Sequence, residues 1–221
     1  MMVLKKFIWS FLLPIGFQKV YKDLMIISNV RLAKKSVITV DEPYLKMLYW
    51  FFSYPKAEIG LNELSSKLKM SKTTAKKAAN ELIAEGFLIN NPYGKSWRIR
   101  CNTDHYYNYS RKISYNIDGI FQLFEQGLRD KIYKIVANPV CIILFGSYRK
   151  GDDDETSDID IAVEVSGEAN LKIFPLGKVD AGFRRNVDAN LHVFSRKNVD
   201  INLFSNIANG FVLEGYLEVR A

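Results

Sequence analysis

Residues 140–145 form a short, continuous apolar run that ends directly on Gly146-Ser147, and twelve residues after Gly146 the chain places Asp158-Ile159-Asp160 inside a second apolar run. Continuous runs of this length read as buried strands, so 140–145 and 158–165 predict neighbouring strands of one sheet with a polar, glycine-flanked connection between them. Side chains on a strand alternate faces. Asp158 and Asp160 therefore point the same way, while Ile159 and Ile161 point into a core. Two carboxylates held that close repel unless a cation compensates them, and hard oxygen ligands at this spacing suit Mg²⁺ bridging to phosphates. Gly-Ser at the end of a buried strand allows a tight turn that exposes amide donors and a hydroxyl, groups able to hold triphosphate oxygens. Gly151 permits the next turn. The acidic run 152–155 lacks the residue order of a calcium-binding loop and reads as a solvated connection.

The strand predicted over 186–194 carries Asp188, Asn190 and His192 on one face, which makes Asp188 the candidate for a third carboxylate. If Asn190 or His192 occupies that position instead, metal binding weakens. The two histidines, His105 and His192, have no paired ligand spacing, and the two cysteines, Cys101 and Cys141, form neither a disulfide framework nor a zinc cluster. Any metal is left to oxygen ligands, and the cysteine usage fits a reducing cytoplasm.

The first half of the chain has a different character. Residues 1–100 hold 17 Lys+Arg against 7 Asp+Glu, whereas the remainder holds 14 against 17. A basic half attracts polyanions through counterion release, and an acidic half suits bound metal better than bare phosphate. With 48% hydrophobic and 25% charged residues the chain has side chains enough for globular cores. Lys5-Lys6 followed by the apolar stretch 7–17 imitates a secretion signal, but it contains Pro14 and Gly16, lacks a small-x-small cleavage site and is too short to span a bilayer. Residues 1–40 carry no assignable pattern.

From residue 41 the periodicity becomes readable. Asp41-Glu42-Pro43 opens a helix containing Leu45, Leu48, Tyr49 and Phe52 that stops at Pro55, and Asn62 caps a short helix with Leu61, Leu64 and Leu68. Ser71 caps a third, in which Ala75, Ala78, Ala79, Leu82 and Ile83 share one face and Gly86 is the stop. Two strands, 87–89 and 97–100, follow around a turn-rich connection. Three helices and a hairpin are the order of a winged helix-turn-helix. On the outer face of its second helix, Lys72, Lys76 and Lys77 are placed to meet phosphates and Thr73 and Asn80 to reach base edges, with Lys95 on the wing. Residues 43–100 resemble the winged helices of bacterial and archaeal transcription regulators, which implies a nucleic-acid partner, duplex DNA first, and a homodimer. The bland alternative is a protein-contact module whose lysines are solvated.

The order Gly146-Ser147, Gly151, Ser157-Asp158-Ile159-Asp160 resembles the polymerase-beta-like nucleotidyltransferase superfamily, in its minimal nucleotidyltransferase branch, over about residues 119–216. That resemblance implies transfer of a nucleoside monophosphate from an NTP to an acceptor hydroxyl. Gly146 and Ser147 would grip the leaving phosphates. Arg149, Lys150 and Ser157 would line the nucleotide, and Asp158, Asp160 and Asp188 would hold two Mg²⁺ ions. The fold expected is α/β (α+β): a segment 1–40, a winged helix-turn-helix over 41–102, a linker over 103–118 and a small mixed-sheet nucleotidyltransferase-like domain over 119–221. The alternatives of another class are a DNA-binding regulator whose nucleotidyltransferase-like domain has lost turnover, and a toxin-antitoxin component.

Overall fold

Aromatic and apolar side chains between residues 43 and 54 recur too densely for one helical stripe, and helix α1 (Pro43–Ser53) buries Met47, Leu48, Trp50, Phe51 and Phe52 on more than one side. It opens on Pro43, whose missing N–H costs nothing at a helix start, and ends before Pro55. The computed structural model describes residues 43–94 and 96–218, all within one compact unit. The segment 1–40, with its signal-like stretch, and Lys95 lie outside the described residues.

Strand β1 (Glu58–Gly60) runs straight into helix α2 (Leu61–Lys67), so Gly60 is the N-cap residue. Asn62, expected as the cap, sits in the first turn, and its carbonyl accepts from Ser65 Oγ at 2.8 Å and Ser66 Oγ at 3.1 Å. Ser71 does cap helix α3 (Lys72–Ala84): its Oγ accepts from the Thr74 amide at 3.1 Å. Ala75, Ala78, Ala79 and Leu82 turn inward, and Gly86, at φ +81°, ends the run. Strands β2 (Leu88–Asn90) and β3 (Arg98–Cys101) complete an antiparallel sheet in the order β1-β3-β2. One core joins these helices and strands.

The stretch 103–118 is packed structure rather than a linker. A 3₁₀ turn (Tyr106–Tyr109) leads into helix α4 (Arg111–Leu123), whose Tyr115 stacks on Tyr49 at 4.6 Å. Tyr44 and Tyr107 both donate to Glu85 Oε2, at 2.6 and 3.0 Å, and the Arg111 guanidinium lies 4.1 Å from the Tyr107 ring. Tyr44, Tyr107 and Tyr115 thus brace this stretch, each combining ring packing with a hydroxyl that has a partner, Glu85 for the first two and Ser53 for Tyr115. Helix α4 is followed by a wide turn (Phe124–Leu128), where Gly127 adopts φ +103°, before α5 (Arg129–Ile135) continues.

A five-stranded mixed sheet follows. Strand β4 (Cys141–Phe145) is buried throughout and leads into the short helix α6 (Gly146–Lys150). Then come β5 (Ile159–Glu164), β6 (Lys172–Ala181), β7 (Arg184–Phe194), helix α7 (Ile201–Ala208) and β8 (Phe211–Gly215). The order is β6-β7-β5-β4-β8, with β5 and β7 parallel and the other neighbours antiparallel. Asp200 caps α7 by accepting from the Asn202 and Leu203 amides, and β8 is an edge strand. On one face Ile142, Leu144, Ile159, Ile161 and Leu191 pack with residues of α4 and α5. On the other, Ile143, Phe145, Ala162 and Phe194 pack with Ile207. Both cysteines are free and buried, and burial pushes the thiol of Cys101 up to about 12 and that of Cys141 up to about 11. No helix among the described residues is long and apolar enough to cross a membrane.

Candidate active site

The site lies where β4 and β5, paired antiparallel, present their ends. Phe145 is the partner of Asp160, so the turn that leaves β4 begins beside the second carboxylate. Gly146 makes that turn at φ +73°, a conformation costly for any residue with a Cβ. Gly151 closes α6 at φ +79°, and a methyl group there would stand 2.1 Å from the Asn108 carbonyl oxygen. Ser147 and Arg149 are half-buried and Lys150 is exposed on this five-residue helix.

The acidic connection is not a solvated loop. Asp153 is buried, accepts from Asn116 Nδ2 at 2.8 Å and pairs with the equally buried Lys112 at 3.2 Å. Burial raises the Asp153 carboxyl above its ordinary range, with Lys112 opposing the shift. Asp154 Oδ1 accepts from the Thr156 amide and hydroxyl, at 2.9 and 2.8 Å, and its other oxygen pairs with Lys56 from the turn after α1. These partners, Lys56 foremost, hold Asp154 well below the usual carboxylate range. Ser157 Oγ accepts from the Asp154 amide at 3.0 Å, so this hydroxyl shapes the loop that delivers Asp158.

Asp160 and Asp158 emerge on the same side of β5 as Ala162, the face that also carries Phe145 and Phe194. The parallel strand β7 sets Asn190 beside Asp160 and His192 beside Ala162 in the ladder. Asn190 Nδ2 donates to Asp158 Oδ2 at 3.1 Å, and His192 Nε2 stands 3.1 Å from Asp160 Oδ1. An ionised carboxylate only accepts, so Nε2 carries the hydrogen. Nδ1 is buried without a partner, and the ring meets Phe145 edge-on at 5.0 Å.

Asp188 begins the same face of β7 and lines one cleft with Asp158, but its ion-pair partner is Lys178 on β6, at 3.5 Å. Among the described residues no three His, Cys, Asp or Glu side chains stand together as a ready-made metal cluster. The donors are nevertheless hard oxygens. They fit an ion such as Mg²⁺, which is held through one or two carboxylates and completes its shell with water and ligand phosphate.

Sequence reasoning missed Arg184. This buried side chain, at the start of β7, donates to the Ser157 carbonyl at 2.5 Å, the Glu155 carbonyl at 3.2 Å and Tyr148 Oη at 3.0 Å. One guanidinium thereby ties together α6, the loop before Asp158 and the strand of Asp188. An arginine next to Arg185 in a hairpin carries no local signal of burial. The exposed face of α3 carries Lys72, Thr73, Lys76, Lys77 and Asn80, and the Lys76 ammonium lies over the Trp97 ring at 5.5 Å.

Residues 130–215 match the family model described as polymerase beta, nucleotidyltransferase. That part of the chain, which contains Gly146, Ser147, Asp158, Asp160 and Asp188, is similar to a nucleotidyltransferase domain, and nucleotidyl transfer in general is the chemistry it points to. No curated protein matches the sequence.

Proposed function

We propose that the chain transfers a nucleoside monophosphate from an NTP to an acceptor hydroxyl, in a Mg²⁺-dependent reaction, and that its helical part is a winged helix-turn-helix that binds nucleic acid. The observation that carries the first half is the contact between the Gly146 turn and Asp160, with Asp158 on the same strand face, inside the matched region. In this reading the amides and hydroxyl of Gly146 and Ser147 bind the leaving phosphates, with Arg149 and Lys150 supplying positive charge nearby. Asp158 and Asp160, with Asp188 as third carboxylate, hold the ions. When bound, Mg²⁺ neutralises phosphate charge and lowers the acceptor's pKa. The acceptor hydroxyl gives its proton to a carboxylate, its oxygen bonds to the α-phosphorus, and the bond from that phosphorus to the bridging oxygen breaks, the electron pair leaving with pyrophosphate. Asn190 and His192 keep the two carboxylates in place on the strand face.

Three helices with a three-stranded antiparallel sheet, and a run of exposed Lys, Thr and Asn along α3, support the nucleic-acid reading. A second reading, a nucleic-acid-binding regulator with an inactive domain, is favoured by one observation: an amide and an imidazole, not acids, contact Asp158 and Asp160. The two separate on incubation of the full chain with each labelled NTP, Mg²⁺ and cell extract. Label transferred to an acceptor and lost in Asp158→Ala and Asp160→Ala supports the enzyme. NTP binding without transfer, together with a salt-dependent shift of duplex DNA, supports the regulator.

A further inference from the structure

A cleft of about 360 Å³ is lined by Asp158, Asp188, Arg184, Arg185, Ser157 and Tyr54 among others, and by no residue of Gly146–Lys150. It shares Asp158 and Asp188 with the candidate active site. Its volume is that of a small-molecule site. Tyr54, from the end of the helical part, forms one wall, and its hydroxyl donates to the Phe183 carbonyl at 2.9 Å, which fixes the β6–β7 hairpin beside it.

Charges of both signs line this cleft, the carboxylates of Glu155, Asp158 and Asp188 and the guanidiniums of Arg184 and Arg185, and the buried one among them is Arg184. Arg184 is 7% exposed, yet its partners are two carbonyls and a phenol; among the described residues it has no ion pair. The buried carboxylate that feels its charge, Asp153, is already paired with Lys112. A buried cation left without a counter-charge is expensive to maintain. Arg185, next along the wall, is two-thirds exposed and shares its charge with Asp180 at 2.6 Å. An anionic group entering the cleft would find one guanidinium with no carboxylate of its own and a second able to exchange partners.

We propose that this cleft is the acceptor subsite, and that it takes a phosphorylated sugar or nucleotide terminus whose phosphate is met by Arg184 and Arg185 and whose hydroxyl is presented at Asp158 and Asp188. The assignment rests on the nucleotidyltransferase reading above. A free sugar phosphate and the 3′ end of an RNA share this chemistry.

Calorimetric titration of the full chain distinguishes the parts. Ribose 5-phosphate binds the wild type at least about tenfold more tightly than ribose, the difference expected for hydrogen bonds to a charged group, and does so whether or not MgATP is already bound. Arg185→Ala, a surface change that leaves the buried network intact, weakens ribose 5-phosphate by about tenfold and leaves MgATP affinity unaltered; Ser147→Ala does the reverse. A short oligouridylate that displaces ribose 5-phosphate identifies an RNA end as the source, and one that does not identifies a free sugar phosphate. Equal affinity for ribose and its phosphate, displacement of the phosphate by MgATP, or equal loss of both ligands in Arg185→Ala overturns the assignment. Ribose 5-phosphate binding in a protein that takes up no MgATP instead overturns the nucleotidyltransferase reading and leaves the anion site standing.

Discussion

The carboxylate of Asp160 rests against the backbone of Gly146: a methyl group built on Gly146 would lie 3.0 Å from Asp160 Oδ2 and 3.6 Å from its Cβ. The turn proposed to hold phosphates and the carboxylate proposed to hold metal are therefore in contact, made possible by the missing side chain and by φ +73° at residue 146.

Gly146→Ala tests that contact. The left-handed backbone costs an alanine about 1–2 kcal/mol, and the methyl group must also push the carboxylate aside. The fold survives, since the turn is at the end of a strand whose residues are all buried, and the urea midpoint drops slightly. MgNTP affinity drops by about tenfold or more, the equivalent of about 1.4 kcal/mol. Unchanged affinity in a folded variant would show that the Gly146 turn does not shape the phosphate site.

Asn190 donates to Asp158 from the face of β7 that also carries Asp188. Asn190→Asp replaces a hydrogen bond by like-charge repulsion, on the order of 1–4 kcal/mol for charges about 4 Å apart in surroundings between water and protein surface. Thermal unfolding without divalent ions shifts down, and added Mg²⁺ or Mn²⁺ restores it more than in the wild type. Equal metal-induced shifts in the two proteins would mean that residue 190 does not face the metal position.

The strands and helices legible in the sequence were those whose pattern is set by their own residues: the buried run of β4, the alternation of β5 and the alanine face of α3 capped by Ser71. The elements missed depend on partners elsewhere. Strand β1 has three residues and gains its ladder from β3; β6 alternates weakly because it is an edge strand, largely exposed; β8 has little apolar cover on one side, with Phe211 and Val212 about 40% exposed. Of the site, Gly146, Ser147, Asp158 and Asp160 follow from spacing alone. Arg184 and the pair Lys112–Asp153 do not, because nothing local tells a charged residue that it will be buried. A buried charge is specified by the tertiary group that partners it.

Lys112 and Asp153 join α4 to the connection between α6 and β5, with side chains 1% and 3% exposed. Lys112→Met leaves a buried carboxylate with Asn116 as its remaining side-chain partner and destabilises by about 3–5 kcal/mol. Burial already raises the folded pKa of Asp153, and losing Lys112 raises it further. A carboxyl with a raised folded pKa contributes its stability fully below the unfolded value, about pH 4, and loses it as pH rises through the folded value. The deficit of Lys112→Met, read from urea midpoints, is thus largest at neutral pH and shrinks towards about pH 4. Lys112→Met with Asp153→Asn removes the charge and recovers part of the loss at neutral pH. A deficit independent of pH would mean that lost packing, not charge, is responsible.

The exposed lysines of α3 carry the nucleic-acid reading, and salt dependence separates contact from solvation. Each phosphate met by a lysine contributes about 0.9 to the slope of log affinity against log salt for duplex DNA. Lys72→Ala and Lys77→Ala together lower that slope by about 2 if both meet phosphates, with urea midpoints close to wild type because both side chains are exposed. Lys76 differs, since its ammonium sits over the Trp97 ring. Lys76→Ala therefore also costs about 0.5–1 kcal/mol of stability, the worth of an exposed cation–π contact, and Trp97→Leu removes that cost while leaving Lys76 available to phosphate. Full-length protein whose duplex affinity keeps the same slope after loss of Lys72 and Lys77 would place the nucleic acid elsewhere on the molecule, and the face of α3 would then be left to contacts with protein.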